Sequence, residues 1–324
     1  MSAGPETCRV CGATEGHRRH VAREMMFGWR DPFPYLECGR CGCLQIEQVP
    51  ADLARYYGEG YYSFGAGLDS EFADPTLAAA RGESVRALLT LPEPQARAVA
   101  HGDMRRPLWA LRRLGLGPDS PLLDVGCGAG RLLYLLRLAG WRALLGVDPF
   151  LLSDLSYSVG LQIRRAGLEA VEGAWDAIMF HHAFEHLADP AGTLRAVAAR
   201  LAQHGTCLLR LPLADSDAWE RYGVDWVQLD APRHLFVHTR RSLELLAAQA
   251  GLRVVAVEHD SYALQFWGSE QYRRDIPLNA EGSYRWGGGA PIFTPGQIAA
   301  WDEEAEMLNR QGRGDQAAVY LEHA

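Results

Sequence analysis

Nine consecutive residues constrain the fold most: Leu122-Leu123-Asp124-Val125-Gly126-Cys127-Gly128-Ala129-Gly130. An apolar run passes into a glycine cluster and then into Arg131–Ala139, which has helical character. Glycine lets the backbone turn tightly and approach a ligand with no Cβ in the way, and the helix that follows presents free N–H groups. Downstream the pattern alternates. Apolar runs at Pro121–Val125, Ala143–Val147, Leu161–Arg164, Trp175–Phe180, Thr206–Leu211 and Arg253–Glu258 predict strands. Pro190–Gln203 and Thr239–Ala250, the latter stopped by Gly251, predict helices. Such alternation implies βαβ units and an α/β fold with a mainly parallel sheet.

The loop's surroundings discriminate between nucleotide cofactors. A dinucleotide site reads G-x-G-x-x-G and lays pyrophosphate on the helix N-terminus. Here the spacing is G-x-G-x-G, and Arg131 stands where the third dinucleotide glycine would be. Asp124 precedes the first glycine by two residues. A carboxylate there opposes pyrophosphate and suits the cationic amino group of a methionine moiety. The pattern therefore favours S-adenosylmethionine over NAD, with Asp124, Gly126, Cys127, Gly128 and Gly130 as cofactor-binding residues. Asp148, closing Leu145-Gly146-Val147-Asp148, sits at a strand tip where an acid accepts ribose hydroxyls in either cofactor class.

Five of the seven cysteines fall within the first 43 residues: Cys8, Cys11, Cys38, Cys41 and Cys43. Cys8/Cys11 and Cys38/Cys41 form two C-x-x-C knuckles, followed by Gly12 and Gly42. Four thiolates complete a zinc tetrahedron with no open position, so the expected Zn2+ is structural. The 26 residues between knuckles exceed the usual spacing of a compact ribbon. Cys43 is a spare that could replace Cys41; His17 and His20 are weaker alternatives, expected at the surface.

A chain of 324 residues, 48% hydrophobic, supports a full core. With no run of eighteen apolar residues and no secretory leader pattern, the expectation is a cytoplasmic protein without a transmembrane helix. Net charge is −8, and all 32 basic residues are Arg. That balance argues against a surface that neutralises many phosphates. Residues 1–60, with seven Arg against eight Asp plus Glu, likewise disfavour an RNA-gripping ribbon. Four regions are expected: a zinc-ribbon module (1–50), a helical connector or lid with Tyr56, Tyr57, Tyr61, Tyr62 and Phe64 (51–120), a cofactor-binding core (121–267) and a tail with one helix near 295–310 (268–324).

The ordered set LLDVGCGAG, GVD, WDAIMFHHAFEHLADP, LRAVAARL and GTCLLRLP resembles the core of class I S-adenosylmethionine-dependent methyltransferases. Phe184-Glu185-His186-Leu187-x-Asp189-Pro190, Leu229-Asp230-Ala231-Pro232-Arg233-His234-Leu235 and the ribbon followed by paired tyrosines are similar to a subgroup acting in cell-surface sugar and natural-product pathways. The resemblance implies a Rossmann-like methyltransferase sheet with helices on both faces plus a small N-terminal zinc ribbon. It also implies that Gly167 and Leu168 line the adenine edge and that His181 lies near the methionine moiety. The third strand lacks the Asp often found there.

Methyl transfer from a sulfonium is an in-line displacement that needs alignment, exclusion of water and, for a hydroxyl acceptor, a general base. His234 is the first choice for base, His182 faces the substrate crevice, and Arg233 is expected to hold a carboxylate or phosphate of the acceptor. Trp219, Tyr222 and Trp226 either stack on the acceptor or form lid core. For Glu185 and His186 the choice is between function and capping or packing. The reading is a methyltransferase for a small, sugar-containing or natural-product-like acceptor, with a homodimer possible. Its rivals are an RNA or tRNA methyltransferase, a non-catalytic S-adenosylmethionine-binding partner protein and, last, an NAD-dependent reductase.

Overall fold

The computed structural model describes residues 7–57, 67–99, 105–286 and 292–324. Tyr61, Tyr62 and Phe64 of the aromatic run lie outside the described residues. At the N-terminus, β1 (Arg18–Arg23), β2 (Pro32–Glu37) and β3 (Leu44–Ile46) form an antiparallel meander. The β1–β2 hairpin occupies the stretch between the two knuckles, which accounts for their long spacing. Four helices follow: α1 (Leu68–Glu71), α2 (Pro75–Thr90), α3 (Glu93–Val99) and α4 (Arg105–Arg112). Asp74 starts α2 by accepting from the Thr76 and Leu77 amides, with Pro75 at the first turn where its missing N–H costs nothing.

The alternating region builds β4 (Leu122–Val125), α5 (Arg131–Leu138), β5 (Leu144–Val147), β6 (Leu155–Ser156), β7 (Gln162–Arg164), β8 (Trp175–His181), α6 (Pro190–Ala198) and β9 (Leu201–Pro212). Next come α7 (Asp217–Tyr222), β10 (Phe236–Val237), α8 (Arg240–Gln249), β11 (Leu252–His259), α9 (Leu264–Arg273), α10 (Pro295–Arg310) and β12 (Gln316–His323). The large sheet has the order β11-β12-β9-β8-β4-β5-β7-β6. Its centre, β9-β8-β4-β5-β7, is parallel.

Side chains alternate between two cores, as the two-residue period of a strand requires. Ile178 and Phe180 of β8, Leu209 and Leu211 of β9 and Val319 and Leu321 of β12 join one core, which includes residues of α6 and α8 and the ribbon. Ala177, Met179, Leu208, Ala318 and Tyr320 join the other, beneath α2, α4 and α5. Helices α2 and α4, with α5, thus supply one helical layer of the sandwich. Burial on both faces is what a central parallel sheet needs.

Two expectations are corrected. The helix read over Pro190–Gln203 stops at Ala198, and the next strand already begins at Leu201. The region read as a tail holds α10 at its expected place but also contributes β12, inserted antiparallel between β9 and β11. The ribbon also joins the rest of the fold: β3 pairs with β10, from the segment after β9, in a four-stranded sheet. Arg9 lies 4.4 Å over the Phe236 ring, and Gln249 Nε2 donates to the Val10 carbonyl.

Candidate active site

The glycine loop leaves the carboxyl end of β4, where open α/β sheets bind ligands. Gly126 and Gly128 take φ of 73° and 54°. A Cβ on Gly126 would lie 2.5 Å from the Ala183 Cβ, so the turn admits no larger residue. Asp148, at the tip of β5, ties the loop down: its Oδ2 accepts from the Gly128 amide at 2.9 Å and its Oδ1 from the Phe150 amide at 2.9 Å. Each oxygen keeps a second lone pair for a ribose hydroxyl.

Asp124 behaves differently. It is 3% exposed, and its Oδ1 has no hydrogen-bond partner among the described residues. Burial, with Asp148 adding repulsion, pushes its carboxyl up to about 8. An isolated buried acid is costly unless a cation completes it. The ammonium of a methionine moiety does so, which fits S-adenosylmethionine and gives pyrophosphate nothing. His181, at the end of β8, has both ring nitrogens buried and unpartnered among the described residues, and burial draws it down to about 3. It presents a neutral ring at the same strand ends. Gly167 follows β7 and starts a short 3-10 turn at Leu168, whose side chain is buried in the core.

Beyond His181 the chain turns through His182, with φ 50°, into a 3-10 turn at Phe184–His186. His182, expected to face the substrate, has both ring nitrogens engaged within the protein. Its Nε2 lies 2.7 Å from Nη1 of Arg210, which only donates, so the lone pair a base needs is in use. Arg210 is itself paired with Asp260 at 2.6 Å. The remaining His182 nitrogen, Nδ1, is 3.3 Å from Glu185 Oε1.

Arg233 is corrected outright. It is fully buried: Nε and Nη2 grip Asp230 at 2.9 and 2.6 Å, Nη2 also reaches Glu24 at 3.0 Å, and Nη1 donates to the Tyr56 carbonyl at 2.9 Å. Glu24 also accepts from the Met26, Phe27 and Trp29 amides. Arg233 therefore staples the ribbon and connector to the segment before β10, and its donors do not reach an acceptor. Trp226 and Tyr222 are likewise core; Trp226 and Gln228 hold Asp315, just before β12.

His234 keeps the geometry of a base. Nδ1 is 2.8 Å from the Gln228 carbonyl, which can only accept, so Nδ1 carries the proton and Nε2 the lone pair. Nε2 faces Glu185 Oε1 and Asp230 Oδ2, both at 3.9 Å. Burial draws the ring down to about 4, so it is neutral at pH 7. Glu185 and His186, for which spacing left packing as an alternative, belong to the same cluster. Burial alone would raise the Glu185 carboxyl, but a hydrogen bond from His182, with the charges of the His182, His234 and His186 imidazoles, holds it down at about 2. The His186 ring lies 4.8 Å from that of His234, and the Tyr57 hydroxyl is 3.2 Å from His186 Nδ1.

The four knuckle cysteines converge. Cys8 and Cys41 sulfurs are 3.7 Å apart, Cys11 and Cys38 sulfurs 3.5 Å, and all four lie within 4.8 Å of one another. Zn–S bonds of about 2.3 Å place tetrahedral sulfurs about 3.8 Å apart, so the set fits zinc. Cys43 stays outside, buried, with its sulfur 3.8 Å from His238 Nδ1. His17 braces the knuckles instead of ligating: Nδ1 accepts from the Gly39 amide and Nε2 contacts the Ala13 carbonyl.

This sheet, with its glycine loop and acids at the strand tips, is the Rossmann-like methyltransferase fold. Residues 99–257 match the family model described as Methyltransferase domain. Among solved structures, the chain is similar to an S-adenosylmethionine dependent methyltransferase from Mesorhizobium loti (20% identity, 66% of this chain and 96% of that one, TM-score 0.39). It is also similar to a mycolic acid cyclopropane synthase complexed with SAH and CTAB (18%, 77% and 97%, 0.41). A third is the geranyl diphosphate C-methyltransferase of Streptomyces coelicolor (13%, 74% and 88%, 0.43). No curated protein matches the chain. Among the described residues no helix is long and apolar enough to cross a membrane.

Proposed function

We propose that this chain transfers a methyl group from S-adenosylmethionine to a small-molecule acceptor, sugar-containing or natural-product-like, by in-line displacement. The observation that carries the cofactor is the buried, incompletely partnered Asp124 above a glycine loop anchored by Asp148. Asp124 meets the amino group, Asp148 the ribose, and His181 lies toward the methionine moiety. His234 takes the proton of a hydroxyl acceptor on Nε2, and the charge of the Glu185 carboxylate, 3.9 Å from that nitrogen, stabilises the imidazolium that results. His182, held between Arg210 and Glu185, fixes the Glu185 carboxylate. Zn2+ on Cys8, Cys11, Cys38 and Cys41 supplies cross-linking and no chemistry.

The test is release of S-adenosylhomocysteine over a panel of glycosylated and hydroxylated small molecules, with tRNA alongside. Turnover on a small acceptor is expected. His234→Ala should lower kcat by about 10²–10⁴ with cofactor affinity unchanged. Methylation of tRNA alone, or full activity in His234→Ala, contradicts the reading.

A further inference from the structure

Glu185, His186 and His234 bring one carboxylate oxygen and two imidazole nitrogens within 4.8 Å of one another. Three features set this group apart from ordinary packing. Glu185 is fully buried; His182 Nδ1 stands 3.3 Å from its Oε1, while Oε2 has no hydrogen-bond partner among the described residues. His186 Nδ1 lies 2.9 Å from the Arg233 carbonyl and His234 Nδ1 2.8 Å from the Gln228 carbonyl. Both carbonyls can only accept, so both rings keep their Nε2 lone pairs unprotonated. A histidine whose other N–H is held by a backbone carbonyl is the usual arrangement of a metal ligand.

We propose that Glu185, His186 and His234 form a second, open metal site for a divalent transition ion such as Zn2+, Fe2+ or Co2+. Two imidazoles and one carboxylate suit borderline ions over Mg2+ or Ca2+, and three protein ligands leave positions vacant. Ligands about 2.1 Å from one ion lie about 3.4 Å apart in a tetrahedron. The 3.9 Å between His234 Nε2 and Glu185 Oε1 closes to that with a shift of about half an ångström, and the 4.8 Å that bounds the set with a shift of about 1.4 Å, within reach of side-chain rotation. The vacant position binds an oxygen-bearing acceptor and polarises it. This rests on the reading of the crevice as the acceptor side: ion-free, the His234 lone pair meets the acceptor's proton, and ion-bound, it is a ligand at the same spot.

The experiment titrates the full-length chain, carrying one equivalent of zinc on its cysteines, with Co2+. The expected result is a second metal equivalent whose spectrum shows ligand-field bands without thiolate-to-cobalt charge transfer. Glu185→Gln and His186→Ala should each weaken it at least tenfold, as loss of a ligand does, with the zinc retained. Should Glu185→Gln fail to fold, the half-buried His186 carries the test. Uptake of no second equivalent by wild type, or equal uptake by His186→Ala, overturns the proposal. S-adenosylmethionine binding by the same sample reports the methyltransferase reading separately: its loss with Co2+ uptake intact removes that reading and leaves the metal site standing.

Discussion

Asp124 makes the ligand-free protein less stable as pH rises, and Asp124→Asn should reveal by how much. Burial, then Asp148, place the folded carboxyl at about 8, against 3.8 for the exposed group. Because the folded value lies above the unfolded one, the stability this group contributes is complete below about pH 3.8 and is lost as pH rises through 8. Between pH 5 and 8 the unfolded chain has released the proton that the folded one retains. The loss is about 1.4 kcal/mol per pH unit, or about 4 kcal/mol over that interval. At about 2.1 cal/mol/K per residue, this is about 6 °C in Tm for a chain of this size. Asparagine cannot titrate, so the difference between variant and wild type should grow by about that amount from pH 5 to pH 8, in the variant's favour. Thermal melts at matched ionic strength measure it. The variant should also lose S-adenosylmethionine binding, since the cation's counter-charge is gone. A variant–wild-type difference that stays flat with pH would refute the account of Asp124 as an acid awaiting a cation.

Arg233→Ala leaves the Asp230 and Glu24 carboxylates buried without their partner. It should destabilise the protein by about 3–5 kcal/mol in urea unfolding; wild-type stability with weakened acceptor binding would instead support a substrate role. Gly126→Ala, at φ 73° and against Ala183, should cost about 1–2 kcal/mol of stability and abolish cofactor binding; a variant with unchanged affinity contradicts the close approach. Stripping the cysteine metal with a chelator should raise hydrogen exchange in β1–β3 and, through the β3–β10 pairing, near His234. Exchange confined to the ribbon would show that the two regions are independent.

Much of this arrangement was legible from local signals. Strand–glycine–helix order located β4, α5 and β5, and the helix expected near 295–310 is α10, capped by Thr294 and Gln297. What escaped has physical causes. Gln-Ala-Ala-Val-Tyr-Leu-Glu-His, the strand β12, is buried along most of its length, so it shows no polar–apolar alternation. Arg233 looks like a ligand-gripping arginine because its burial and its second acid, Glu24, 209 residues away, appear only in the fold, although its first partner, Asp230, is three residues off. The same holds for Glu185. Beside His186 it resembles a helix cap, and its full burial among the imidazoles of His182, His186 and His234 appears only in the fold. The docking of β3 on β10 rests on pairing of two very short strands, which no spacing rule encodes.

The central claim is the cofactor, and calorimetric titration of the zinc-loaded protein tests it most directly, with S-adenosylmethionine and NADH in separate runs on wild type, Asp124→Ala and Asp148→Ala. The account predicts S-adenosylmethionine binding in wild type, its loss in both variants and no heat with NADH. Binding of NADH, or S-adenosylmethionine binding undiminished in both variants, would contradict it.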